Sequence, residues 1–179
     1  MKKSNTKTFL TSLTIMFGLT LAHLNAEPAT KYANDWRSPE AIVDALYQTI
    51  SAGPGEQRDW DRFRELFFDN AEMLMSIETP GFSGILASDI DTIVIQTEQA
   101  YGKTGFYELE LNKQIELYGN MASVYSSFEV KYKASDKQPL MKGLNHFQLL
   151  FDGDRWWIIS NISTIDNKQN KVSEMLKQG

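Results

Sequence analysis

The sequence predicts an α+β domain in which three N-terminal helices precede a mainly antiparallel sheet. Three observations predict it. Apolar residues recur at helical spacing in three separate segments before Gly102. Four long runs rich in aromatic and β-branched residues then fill the stretch from Phe106 to Ile165, as strands do. Two hairpin-type dipeptides, Gly119-Asn120 and Asp152-Gly153, separate the first run from the second and the third from the fourth.

Residues 1–26 read as a cleavable signal peptide. Lys2, Lys3 and Lys7 form a positive start, Phe9 to Ala22 is apolar, and small Ala26 precedes Glu27-Pro28. A retained membrane anchor is the alternative. The apolar run is broken by Thr11, Ser12, Thr14, Gly18 and Thr20 and falls short of the roughly 20 residues that a span needs. Export to the periplasm or the medium is therefore expected. Cleavage removes three of the 18 basic residues and none of the 23 acidic ones, so the mature chain is more acidic than the formal charge of −5. An acidic surface repels nucleic acid and anionic lipid, which removes both as expected partners. With no cysteine there is no disulfide, no cysteine-linked lipid and no thiolate metal site. His146 is the one histidine left after cleavage, so neither a catalytic metal nor another cofactor is expected.

Residues 27–37 are expected to be an extended lead-in, with Trp36 packing down. A single domain then spans 38–166. Ser38 is a natural N-cap and Pro39 suits the first helical position. Ile42, Ala45, Leu46, Thr49 and Ile50 repeat at helical spacing until Gly53-Pro54-Gly55 stops the helix. The second helix opens at Asp59, carries Trp60, Phe63 and Phe67 on one side, and is expected to end at Asp69-Asn70. Ala71 to Ile77 alternates as a strand, and Phe82 to Ala87 returns as its partner after Thr79-Pro80-Gly81. Ser88 is expected to cap a third helix with an apolar stripe of Ile90, Ile93, Val94, Thr97 and Tyr101, closed by Gly102. Phe106 to Tyr118, Met121 to Ala134, Leu140 to Phe151 and Arg155 to Ile165 should form an antiparallel meander. Residues 167–179 make a polar tail, with a frayed helix at most.

This order of elements resembles that of the nuclear transport factor 2-like superfamily, which includes ketosteroid isomerases, SnoaL-type polyketide cyclases and scytalone dehydratase. Three stretches resemble it locally. They are Ile50-Ser51-Ala52-Gly53, Leu66-Phe67-Phe68-Asp69-Asn70-Ala71, and Phe151-Asp152-Gly153-Asp154-Arg155-Trp156-Trp157-Ile158. The resemblance implies that the sheet is curved, that the helices pack in its concave face, and that a cone-shaped cavity remains between them. It implies a ligand pocket walled by Leu46, Met73, Met75, Tyr101 and Phe147, with Asn145 as its polar anchor.

The same resemblance weighs against isomerase chemistry. Met75, Leu46 and Phe147 fall where ketosteroid isomerases place their base, tyrosine and acid, and none of the three moves a proton. Tyr47 lies one residue from the expected tyrosine, a turn of roughly 100° about the helix. His146 alternates with Phe147 along a strand, so an inward Phe147 places His146 outside. Glu108 and Glu110 share one face of a strand, with Leu109 and Leu111 on the other. They could act as an acid–base pair if they faced the cavity, but a solvated face is the preferred reading. Trp156 and Trp157 cannot both be interior, and the sequence does not say which is. The one on the outer face, with Leu144 and Leu150, suggests a homodimer through the sheet. No phosphate loop, dinucleotide fingerprint or nucleophile elbow is present.

The expected function is an exported domain that binds a small apolar or aromatic molecule. The alternative is a cyclase-, dehydratase- or isomerase-like enzyme using Tyr101, Asn145 or a Glu108/Glu110 carboxylate. A non-catalytic interaction module with a self-filled cavity is the third.

Overall fold

The structure, a computed structural model, describes residues 31–79 and 81–177. The expected signal segment and its cleavage site lie outside the described residues.

Helix α1 spans Pro39–Ile50. The Ser38 hydroxyl accepts from the Ala41 N–H at 3.1 Å, as the Ser-Pro start predicts. Its buried side, led by Ile42, Val43 and Leu46, forms the centre of the core. The lead-in is not extended: residues 31–36 form turns. Two anchors hold it. Arg62 donates to both Asp35 carboxylate oxygens at 2.6 and 2.9 Å. The Arg155 guanidinium lies 3.6 Å from the ring centres of both Trp36 and Trp157, a double cation–π clamp.

Helix α2 spans Trp60–Arg64, capped by Asp59, and is shorter than the apolar spacing predicts. Strand β1 already begins at Phe67 and runs to Thr79. Phe63 and Phe67 still meet, ring centres 5.0 Å apart, although one is helical and the other is in a strand. Asp69-Asn70 does not end a helix. Asn70 adopts φ 64°, a left-handed conformation open to asparagine, within an irregularity where the register of β1 shifts. Strand β2 spans Phe82–Asp89 and helix α3 spans Ile90–Tyr101. The cap of α3 is Asp89 rather than Ser88. The Asp89 carboxylate accepts from Thr92 N at 2.7 Å, while Ser88 stays paired with Met73 in the β1–β2 hairpin. Only Val94 of α3 is fully buried, because this helix covers just the β1–β2 end of the sheet.

Strands β3 (Tyr107–Tyr118), β4 (Met121–Lys131), β5 (Met141–Phe151) and β6 (Trp156–Ile165) form the expected antiparallel meander. One curved six-stranded sheet results, in the order β2-β1-β6-β5-β4-β3, with β1 parallel to β6. Register shifts between Glu110 and Asn112 and between Gln148 and Leu149 help it bend. Gly143 marks a tight approach. A Cβ there would fall 2.4 Å from the Thr164 carbonyl and 2.6 Å from the Phe128 ring.

Because paired residues share a face, the register sorts every side chain. Phe128, Gly143, Asn145, Phe147 and Asn161 face inward to the helices. Tyr125, Leu144, His146, Leu150 and Trp157 face outward. Trp156 is therefore the interior tryptophan and Trp157 the outer one. The tail is not frayed. Asp166 accepts from the N–H and hydroxyl of Ser173 at 2.9 and 2.6 Å, and Asn167 bonds Glu78 at 3.1 Å. Residues Val172–Lys177 form a 3-10 turn against β3 to β6, burying Val172 and Ser173.

Candidate functional site

A row of paired residues crosses the inner face of the sheet: Leu86, Met75, Ser163, Asn145, Ser126, Lys113. It grades from apolar at β2 and β1 to polar at the centre and cationic at β3. Helix α1 lies over the polar half and contributes Tyr47. From β3, Glu108 and Glu110 also point inward, toward α1. The Ser51 hydroxyl pins the Glu108 backbone through its N–H and C=O, and Lys113 joins Glu110 to Asp44 of α1 at 3.1 and 2.5 Å.

This overturns the solvated-face reading of the two acids. An alternating Glu-Leu-Glu-Leu strand does not say which face is wet. Here α1 packs over the glutamate side, and Leu111 is the residue left exposed.

The polar groups form one network. The Asn145 side-chain amide donates to the Tyr47 hydroxyl at 3.2 Å and to Glu108 at 2.9 Å, reaching across β4 to β3. Ser126 donates to Glu110 at 2.5 Å, since a carboxylate can only accept. The Ser126 hydroxyl proton is thereby used, so in the 2.7 Å contact between Tyr47 and Ser126 it is Tyr47 that donates. Asn161 donates to Asn145 Oδ1 at 3.3 Å and to Ser163 at 3.0 Å, and Ser163 donates to Asn145 Oδ1 at 2.6 Å. The side-chain donors of Tyr47, Ser126, Asn145, Asn161 and Ser163 are all spent inside it. Acceptor capacity remains. Asn161 Oδ1 is buried with no donor among the described residues, and Glu108 receives a single bond.

The electrostatics follow from that arrangement. Burial pushes the Glu108 carboxyl up to about 7, with the Asn145 hydrogen bond offsetting only part of the effect. Burial, reinforced by the Glu108 charge, raises the Tyr47 hydroxyl far above the usual phenol range, so Tyr47 stays neutral. Among the described residues no three His, Cys, Asp or Glu side chains converge as a metal site.

The predicted pocket residues divide. Asn145 is the centre of the hydrogen-bond network. Met73 is partly buried and Met75 is 37 % exposed on the inner face beside Leu86 at 48 %, an open apolar flank. Leu46 and Phe147 are 1 % and 0 % exposed, which leaves no water-sized space against either. Neither lines a hollow. Side chains from both sides of the core close on them. Tyr101 packs on Phe106, ring centres 4.8 Å apart, and takes no part in the network. His146 faces outward, stacked on Tyr125 at 4.2 Å, and burial lowers its pKa. Tyr47, Ser126, Ser163 and Asn161 are the site residues that the sequence reading missed. Inward polar residues at alternate positions of neighbouring strands were the available signal.

Solved structures share this architecture. A protein of unknown function with a cystatin-like fold from Nostoc punctiforme superposes with a TM-score of 0.55 at 11 % identity, over 72 % of this chain and 89 % of its own. A nuclear transport factor 2-like protein with a cystatin-like fold from Novosphingobium aromaticivorans gives 0.54 at 13 % identity, over 78 % and 86 %. One of unknown function from Shewanella baltica gives 0.51 at 16 % identity, over 72 % and 94 %. The chain has the nuclear transport factor 2-like fold. No protein-family model matches it, and no curated protein does. At these identities the likeness concerns the fold alone. Within this nuclear transport factor 2-like domain, the polar groups enter from Tyr47 and Glu108, while the positions compared above with isomerase residues stay apolar.

Tyr47→Phe tests the network. It leaves buried Ser126 without its donor and one N–H of buried Asn145 without an acceptor. We expect a loss of about 1–3 kcal/mol in denaturant unfolding, and Asn145 side-chain amide resonances that move with it.

Proposed function

We propose that the domain binds a small apolar or aromatic molecule on the open part of its inner face. The apolar flank of Met73, Met75 and Leu86 would hold the body of the ligand, and Glu108, positioned by Asn145, its polar end. The carrying observation is Glu108, a carboxylate beside a closed hydrogen-bond network with no cation paired to it among the described residues. Accepting from Asn145 does not require a charge, and the charged form of such a group costs the fold stability. Adjacent strands lie about 5 Å apart, so the two strand steps from Met75 to Asn145 span about 10 Å, the length of a small aromatic ligand. The test is a titration of the domain, methyl-labelled on methionine, with the neutral apolar dye Nile red. Met73 and Met75 signals should shift. Shifts confined to Met121 on the outer face, or none at all, would refute the reading.

A second reading, proton transfer by a cyclase-, dehydratase- or isomerase-like enzyme, draws on the Glu108 value near neutrality, where a general base works best. Against it, the side-chain donors of Tyr47, Ser126, Asn145, Asn161 and Ser163 are already committed to one another and to the glutamates, which leaves none of them for a developing oxyanion.

The proposal extends to setting and assembly. The segment 1–26 supports export, so the domain would act in the periplasm or outside the cell. For assembly we propose a homodimer through the outer face. The C-terminal turn covers part of that face. The strip of Phe68, Trp157, Leu150, Met121 and Tyr118 beside it is open and apolar. Sedimentation of Met121→Glu would show a monomer if this strip is the contact, and an unchanged species if it is not.

A further inference from the structure

Resting on the ligand-binding reading, we infer that the ligand of the inner face is an amine: an apolar body carrying one protonated nitrogen that seats on Glu108. The hydrogen-bond inventory carries this furthest. The side-chain N–H and O–H groups of Tyr47, Ser126, Asn145, Asn161 and Ser163 are all committed to partners within the cluster. At pH 8, where Glu108 is ionised, a ligand that offers only acceptors, such as a ketone or a carboxylate, finds no free donor among these five residues. The capacity left over is for accepting: half-buried Glu108 receives one hydrogen bond, from Asn145, and Asn161 Oδ1, buried on β6 in the same network, receives none among the described residues. An ammonium presents up to three donors and no acceptor.

Charge points the same way. The titratable groups facing this part of the inner face are Asp44 and Tyr47 from α1 and Glu108, Glu110 and Lys113 from β3. The one cation, Lys113, is held by Asp44 and Glu110. Glu110 is thus compensated and Glu108 is not, so an incoming cation would be drawn to Glu108 rather than to its neighbour. A carboxylate raised to about 7 by burial regains its charge when a cation arrives. The acidic balance of the whole chain favours cation approach but cannot choose between the two glutamates.

Three near-isosteric probes separate the possibilities: 2-phenylethylamine, 2-phenylethanol and 3-phenylpropionate, titrated by calorimetry at pH 8 and followed by the Met73 and Met75 methyl signals. The amine should bind about tenfold tighter than the alcohol, one ion pair's worth of selectivity in a partly shielded site. The propionate should bind more weakly than either. Glu108→Gln should erase the amine preference, whereas Glu116→Gln, which removes a charge from the outer face of the same strand, should leave it intact. Amine affinity should fall about tenfold from pH 8 to pH 6 as Glu108 takes up its proton. Equal binding of amine and alcohol, or a preference that survives Glu108→Gln, overturns the inference while leaving the ligand-binding reading in place. If no probe and no dye moves the Met73 and Met75 signals, the reading itself fails and the inference with it.

Discussion

Glu108→Gln is expected to make the protein more stable at pH 8 while removing the charge on which ligand selectivity depends. The sign follows from linkage. The carboxyl of Glu108 titrates at about 7 in the fold and at about 4.5 when free of it. Between those values the folded state holds a proton that the unfolded chain has released, so wild-type stability falls as pH rises from about 4.5 to 7 and levels off above. The difference corresponds to a penalty on the order of 3 kcal/mol at pH 8, somewhat less where solvent reaches the carboxylate. Glutamine keeps the shape and the acceptor for Asn145 and carries no charge to desolvate. In denaturant unfolding the variant should therefore exceed wild type at pH 8 and match it near pH 4, where Glu108 is protonated in the folded and, for the most part, in the unfolded chain. A variant less stable than wild type at pH 8 would mean that Glu108 is compensated by a cation after all.

Phe147→Ala is expected to cost about 3–5 kcal/mol, the range for removing a fully buried ring whose surroundings collapse only in part. This decides between two meanings of the same inward position. If Phe147 lined an open pocket, truncation would enlarge a space that already holds water and the cost would be small. Its side chain has no exposure and lies between Val124 and Asn161 in the sheet register. We therefore expect a large stability loss with unchanged selectivity between charged and neutral probes, measured under conditions where the variant remains folded. A loss below about 1 kcal/mol would restore Phe147 to the pocket wall.

Much of the architecture was legible because it rests on local chemistry. Ser38-Pro39 starts a helix by its hydroxyl and its fixed φ, and Gly119-Asn120 turns a hairpin by its freedom at positive φ. Where two local signals competed, the reading slipped by a few residues. Trp60, Phe63 and Phe67 fit one side of a helix, yet the chain leaves the helix after Arg64 and Phe67 pairs with Ile158 of β6, a partner that local spacing does not reveal. Ser88 and Asp89 are both sound caps. The strand pairing of Ser88 with Met73 left the role to Asp89.

The site was much less legible. Alternation along β3 separates Glu108 and Glu110 from Leu109 and Leu111 but is silent about which side is inside, because a two-sided pattern has no outside until another layer covers it. By itself the sequence determined that this is an acidic, cysteine-free chain of the α+β class, and which residues share each strand face. Only the tertiary structure decided that α1 lies on the glutamate face. That packing gathered Tyr47, Glu108, Ser126 and Asn145 into one network, although up to 98 residues separate them along the chain. The reason is physical: the free energy of a buried charge depends on what surrounds it, and its surroundings here come from elements distant in the chain.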